Sequence, residues 1–150
     1  MDTLASLARR LGRPGVVAAT VVLAVVVNLI IFAVGHAAGA TYTFTAGDEV
    51  TQVAALTLVG FTAVPLAVGL TAAVVLSRWW RWVTPAALVV APVLALLSIP
   101  AMTLPSDLDT AGKIALALCH VTLAPISVAG LLGIRALTPQ TAVPSVGSPS

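Results

Sequence analysis

VVAATVVLAVVVNLIIFAV, residues 16–34, decides the fold. At about 1.5 Å of helix rise per residue the run covers nearly the whole of a hydrocarbon core of about 30 Å. Arg9, Arg10 and Arg13 precede it and Ala38-Gly39-Ala40 follows it, which is the layout of a cleavable signal peptide. The run exceeds the roughly 7–15 apolar residues of a signal core, so it reads as an uncleaved transmembrane helix. Arg9-Arg10 reads as a membrane-helix anchor rather than a twin-arginine signal.

Three further runs of the same kind follow. Together they predict an all-α, four-helix transmembrane bundle with spans at about 16–36, 52–77, 83–100 and 113–134. Backbone polar groups in lipid must be satisfied within the segment, and these runs are apolar on every side, so they are helices rather than alternating strands. Pro85 falls in a first helical turn, while Pro65, Pro92 and Pro125 are interior and are expected to kink their helices. The whole chain agrees with this reading. Its 150 residues are 59% hydrophobic and 8% charged, far from a soluble composition. The mean hydropathy is +1.10 and the pI of 9.3 reflects a net charge of only +2, which excludes a nucleic-acid binder.

The charges orient the bundle. Arg9, Arg10 and Arg13 lie before the first span, Arg78 and Arg81 between the second and third, and Arg135 after the fourth. The alternate loops carry Asp48, Glu49, Asp107 and Asp109, with Lys113 at a span boundary. The positive-inside rule then places both termini in the cytoplasm of a plasma-membrane protein. Residues 1–13 form a cytoplasmic N-terminal segment, 14–136 the membrane domain, and 137–150, rich in Pro, Ser and Thr, a disordered cytoplasmic tail. The four acidic residues read as solvated loop positions, with weak divalent-cation binding as the sharper alternative.

Few residues inside the spans carry chemistry. The polar inventory is Thr20, Asn28, His36, Thr57, Thr62, Thr71, Ser98, His120, Thr122 and Ser127. A carboxylate relay, a filter-like loop, a nucleophile elbow, a P-loop and HExxH are all missing from the sequence, so it points away from an enzyme. A seven-residue spacing returns a helix to nearly the same azimuth, so Lys113, His120 and Ser127 form one stripe. The candidate intramembrane polar site is therefore Asn28, His120 and Ser127; the simpler reading of the same residues is interhelical hydrogen bonding. His36 and His120 are candidate haem ligands, but their depths match poorly; neither a cofactor nor a metal site is expected. Cys119 reads as a buried small hydrophobe. Arg78, Trp79, Trp80, Arg81 and Trp82 read as interfacial anchors in a tight turn. Gly35/Gly39, Ala91/Ala95 and Ala129/Gly133 are small-xxx-small pairs suited to close helix packing.

These residues also carry a resemblance. Asn28-Leu29, the Leu97-Ser98-Ile99-Pro100 exit of the third helix, and Leu116-Ala117-Leu118-Cys119-His120 followed by Pro125 resemble an uncharacterised family of small four-helix membrane proteins from actinobacteria, a domain of unknown function. The resemblance covers roughly residues 16–135. Members often have methionine where this chain has Cys119. It implies the four-helix membrane architecture, draws attention to Asn28 and His120, and implies no reaction. The expected role is a non-enzymatic helix-packing or accessory protein whose partners are the bilayer and a second copy or another membrane protein. The alternatives are a small-molecule or lipid-binding protein using a site around His120, and a haem-binding redox protein.

Overall fold

The computed structural model describes residues 2–137. Four helices, α1 (Asp2–Ala37), α2 (Ala55–Leu76), α3 (Val83–Ser98) and α4 (Thr110–Ala136), make an all-α bundle. α3 continues into a π-helical turn over Ile99–Thr103, closed by the Leu104 N–H on the Ile99 carbonyl at 3.0 Å. Each of the four, α3 together with its π-helical continuation to Thr103, has a segment long and apolar enough to cross a membrane. Of the tail expected over 137–150, Leu137 caps α4 and the residues from 138 onward lie outside the described ones.

α1 breaks at Gly12, whose φ of 66° and ψ of 175° are non-helical. The left-handed φ is one that glycine adopts without steric penalty. Pro14 follows two residues later, at the start of the long apolar segment, where its missing N–H removes no helical bond. The short helical stretch before the break was not assigned from sequence. α2, α3 and α4 run on through Pro65, Pro92 and Pro125.

The central pair is α1 and α4, running antiparallel with the longest shared seam; α2 packs on α1, and α3 packs on α4. The seam follows from spacing. Val16, Thr20, Ala24 and Asn28 are buried at successive four-residue intervals, one face of α1. Opposite them α4 offers small residues. A Cβ on Gly133 would lie 3.1 Å from Val16 Cγ1, and one on Gly130 would lie 2.7 Å from both Thr20 Cγ2 and Oγ1. Farther along, a Cβ on Gly35 would lie 2.7 Å from Ala115 Cβ and would strike the Tyr42 hydroxyl. The helices approach this closely because glycine stands at each crossing.

The paired glycines Gly35 and Gly39 thus have separate tasks. Gly35 makes the close approach. Gly39, with φ 95° and no atom within 4 Å of a Cβ position, ends the helix. The Gly39 N–H donates to the His36 carbonyl at 3.0 Å and the Ala40 N–H to the Gly35 carbonyl at 2.9 Å, the paired bonds of a Schellman cap.

The loop after α1 holds a feature beyond the helical expectation, an antiparallel hairpin of β1 (Thr43–Ala46) and β2 (Glu49–Gln52). Its strands meet at Ala46 opposite Glu49, leaving Gly47-Asp48 as a two-residue loop. Gly47 has φ 67°, at the first central position, where a type II′ turn requires glycine. The hairpin takes up residues 49–52, so α2 starts at Ala55 rather than at 52.

Packing is layered along the seam. At the arginine end, Val16, Leu70, Ala73, Leu131 and Ile134 bring α1, α2 and α4 together, with Ala87 and Leu88 of α3 against them. At the hairpin end, Ala40, Tyr42 and Ala115 form a second cluster with Ile31 and Phe32. Between the two lies a polar layer.

Candidate functional site

The polar layer is built on Asn28, which is 1% exposed. Its position on the buried four-residue stripe of α1 aims its amide into the bundle rather than into lipid, where an unsatisfied amide is costly. Its Nδ2 donates to Thr62 Oγ1 of α2 at 3.0 Å, and its Oδ1 accepts from Thr122 Oγ1 of α4 at 3.3 Å. Its backbone carbonyl accepts from Cys119 Sγ at 3.8 Å. One side chain therefore ties three helices. Cys119 is buried and lies against this node.

The other two residues of the sequence-derived site stand apart from it. His120 is half-buried, and its Nδ1 pairs with the Leu116 carbonyl of its own helix at 2.7 Å. Ser127 is buried and donates to the Ala124 carbonyl at 2.8 Å. Among the described residues, no hydrogen bond joins either to Asn28. Sequence spacing placed His120 and Ser127 on one stripe. The node instead uses Cys119 and Thr122, three residues apart on one face of the same helix that is turned away from the His120–Ser127 stripe. Back-bonding to the helix's own carbonyls also serves Thr20 (to Val16, 2.7 Å) and Ser98 (to Ala95, 2.6 Å), a common way for a lone hydroxyl to be satisfied within an apolar helix. Among the described residues, every buried side-chain nitrogen or oxygen has a partner. His36 lies at the hairpin end of α1, with its Nδ1 on the Ala40 carbonyl at 3.2 Å. No three His, Cys, Asp or Glu side chains among the described residues gather as metal ligands.

A second polar assembly, beyond the sequence-derived site, lies at the hairpin end. Asp107 and Asp109 hold the hairpin against the entry to α4. Asp107 accepts from the Thr45 hydroxyl at 2.6 Å and the Thr45 N–H at 2.9 Å. Asp109 caps α4 by accepting from the Gly112 N–H at 3.0 Å, and it also accepts from the Thr41 N–H and hydroxyl at 3.2 and 3.1 Å. Between these two attachments Tyr42 turns inward. It has φ 55°, no exposed surface, a ring stacked on Phe32 at 4.1 Å, and a hydroxyl donating to the Phe32 carbonyl at 2.9 Å. The signal was present in the sequence: Gly47-Asp48 flanked by Thr, Tyr, Phe and Val is a hairpin pattern.

The hydrogen bonds to Asp107, from the Thr45 hydroxyl first and its N–H second, hold that carboxyl below the usual range. The Gly112 N–H, and after it the groups of Thr41, do the same for Asp109. A lowered folded-state pKa stabilises above the unfolded value, about 3.9, and that contribution is lost as pH falls through the lowered one. Amide hydrogen exchange of Thr41 and Thr45 should therefore be unchanged from about pH 5 to 8 and should accelerate in stronger acid, after correction for intrinsic rates. Unchanged protection at about pH 3 would show that the carboxylates do not hold the hairpin.

At the opposite end of the bundle Trp79, Trp80 and Trp82 are 68%, 53% and 65% exposed. Arg78 and Arg81 are exposed in the same turn, and Arg9, Arg10 and Arg135 are exposed at the same end. Indoles and guanidiniums so placed suit the headgroup level of a bilayer.

Comparison with known proteins matches the chain to a family of unknown function (DUF6069) over residues 8–136. The chain belongs to that family. No curated protein and no solved structure matches it.

Proposed function

We propose that this is a multi-pass protein of a bacterial plasma membrane, with both termini on the cytoplasmic side. In this reading it acts without catalysis, by packing its helices against a second copy or another membrane protein. The observation that carries the reading is α3. It packs on α4 along one side, Val83 is its one buried residue among those described, and Val89, Val90, Val93, Leu94 and Leu97 are all exposed. The buried polar side chains of the interior meanwhile have partners already, across helices at Asn28 and on their own helix carbonyls at Thr20 and Ser127. The orientation is supported by six arginines at one end against Lys113 alone at the other.

Both parts can be tested with introduced cysteines, because native Cys119 is buried. Val93→Cys should form crosslinked dimers, or a crosslink to one recurring partner, in native membranes. Monomers alone, by crosslinking and by single-molecule counting, would overturn the packing role. Asp48→Cys should react with an impermeant maleimide on intact cells, and Arg81→Cys only after permeabilisation. The reverse pattern would invert the topology.

A further inference from the structure

We propose that the groove between α1 and α2 at the arginine end holds one phospholipid of the surrounding bilayer, with an anionic headgroup at Arg13 and an acyl chain along the groove. The groove is open along its length and offers about 460 Å³. Its walls are apolar, with Val17, Ala18 and Val21 on α1 facing Val74 on α2, and Thr71 is the one hydroxyl between them. Arg13, the one charged lining residue among the described residues, stands at one end. From Arg13 to Val22, the farthest lining residue of α1, is nine helical rises, about 14 Å. That is close to half of the roughly 30 Å hydrocarbon core, so the groove runs from headgroup level to the bilayer midplane. A molecule that is charged at one end and apolar for the length of one leaflet fits it end to end.

Charge selects the headgroup and argues against a protein occupant. Arg9, Arg10, Arg78, Arg81 and Arg135 share this end, where Asp2 is the one acidic residue of the sequence. Such a cluster attracts anionic lipid and leaves a zwitterionic headgroup less favoured. A second copy seated symmetrically in the groove would bring Arg13 against its own counterpart, and like charges juxtaposed at an interface oppose association. The proposal does not depend on which way the arginine end faces, nor on what covers α3.

The test is native mass spectrometry of the full chain, released from bilayers of phosphatidylcholine with a minor share of phosphatidylglycerol. The wild type should retain one phosphatidylglycerol per chain, enriched about tenfold over its share of the bilayer. Arg13→Gln should remove most of that enrichment, while Arg135→Gln, at the same end but outside the groove, should keep it. Ala18→Trp, at an exposed position on the groove wall, should expel the lipid with Arg13 intact. Thermal unfolding of each variant confirms that the fold survives. Equal loss from Arg13→Gln and Arg135→Gln would reduce the effect to general charge and overturn the site. Retention undiminished by Ala18→Trp, or phosphatidylcholine held as firmly as phosphatidylglycerol, would overturn it as well.

Discussion

Gly35→Ala should destabilise the bundle by about 2 kcal/mol, although it places the better helix former in a helix. On propensity alone the change would stabilise by about 1 kcal/mol. Geometry reverses the sign. The added methyl would lie 2.7 Å from Ala115 Cβ, which is fixed to the α4 backbone, and it would strike the Tyr42 hydroxyl. Tyr42 has nowhere to go, because its ring is stacked on Phe32 and its hydroxyl is bonded to the Phe32 carbonyl. Either α1 and α4 separate, at a typical overpacking cost of about 1–3 kcal/mol, or the buried hydroxyl loses its partner, at a similar cost. Gly60→Ala is the control. It is helical, with no atom within 4 Å of the Cβ position, so it should be neutral or stabilising by up to about 1 kcal/mol. Reversible unfolding in mixed micelles measures both. Adding Tyr42→Phe should restore part of the loss at Gly35, since one of the two collisions disappears. A Gly35→Ala protein as stable as wild type would mean that the helices do not approach as described.

How much of this was legible in the sequence differs by level. The four helices were, because lipid leaves an apolar run little choice but to satisfy its own backbone. The grouping of the arginines at one end followed from counting crossings. The hairpin carries only short local signals, Thr-rich strands of four residues around a Gly-Asp turn, set between two apolar runs that dominate the pattern. The attachment by Asp107 and Asp109 is of another kind. It joins Thr41 and Thr45 to residues more than sixty positions away, and no local pattern announces such a pairing.

The polar node shows the same limit inside the membrane. Periodicity places a residue on a face, but it does not say which neighbouring helix that face meets. Asn28 was found because amides are rare in such runs. Its partners Thr62 and Thr122 were in the polar inventory with nothing to link them to it. His120 drew attention as an imidazole in a span, yet the structure gives the seam position beside it to Cys119. The close approach of α1 and α4 is what decides this, and it depends on glycines whose partners lie on the other helix.

Asn28→Leu should destabilise the protein by about 1–3 kcal/mol, and the pattern of its couplings should identify its partners. Interhelical hydrogen bonds in membranes average about 0.6 kcal/mol and reach about 1.7, so two lost bonds give a total in this range. The leucine leaves Thr62 Oγ1 without the amide that donates to it, whereas Thr122 keeps its bond to the Cys119 carbonyl at 3.0 Å. The cost should therefore fall mainly on the Asn28–Thr62 pair. A double-mutant cycle of Asn28→Leu with Thr62→Val should give a coupling of about 0.6 kcal/mol or more, and the cycle with Thr122→Val a smaller one, in keeping with its longer bond. Asn28→Leu combined with His120→Ala should be additive within about 0.5 kcal/mol, since His120 bonds its own helix and not Asn28. A strong Asn28–His120 coupling would restore the grouping read from sequence and would mean that α4 presents a different face to α1. Additivity there, with coupling to Thr62, would establish Asn28 as a polar tie between α1 and α2, the one buried side-chain hydrogen bond between those two helices among the described residues.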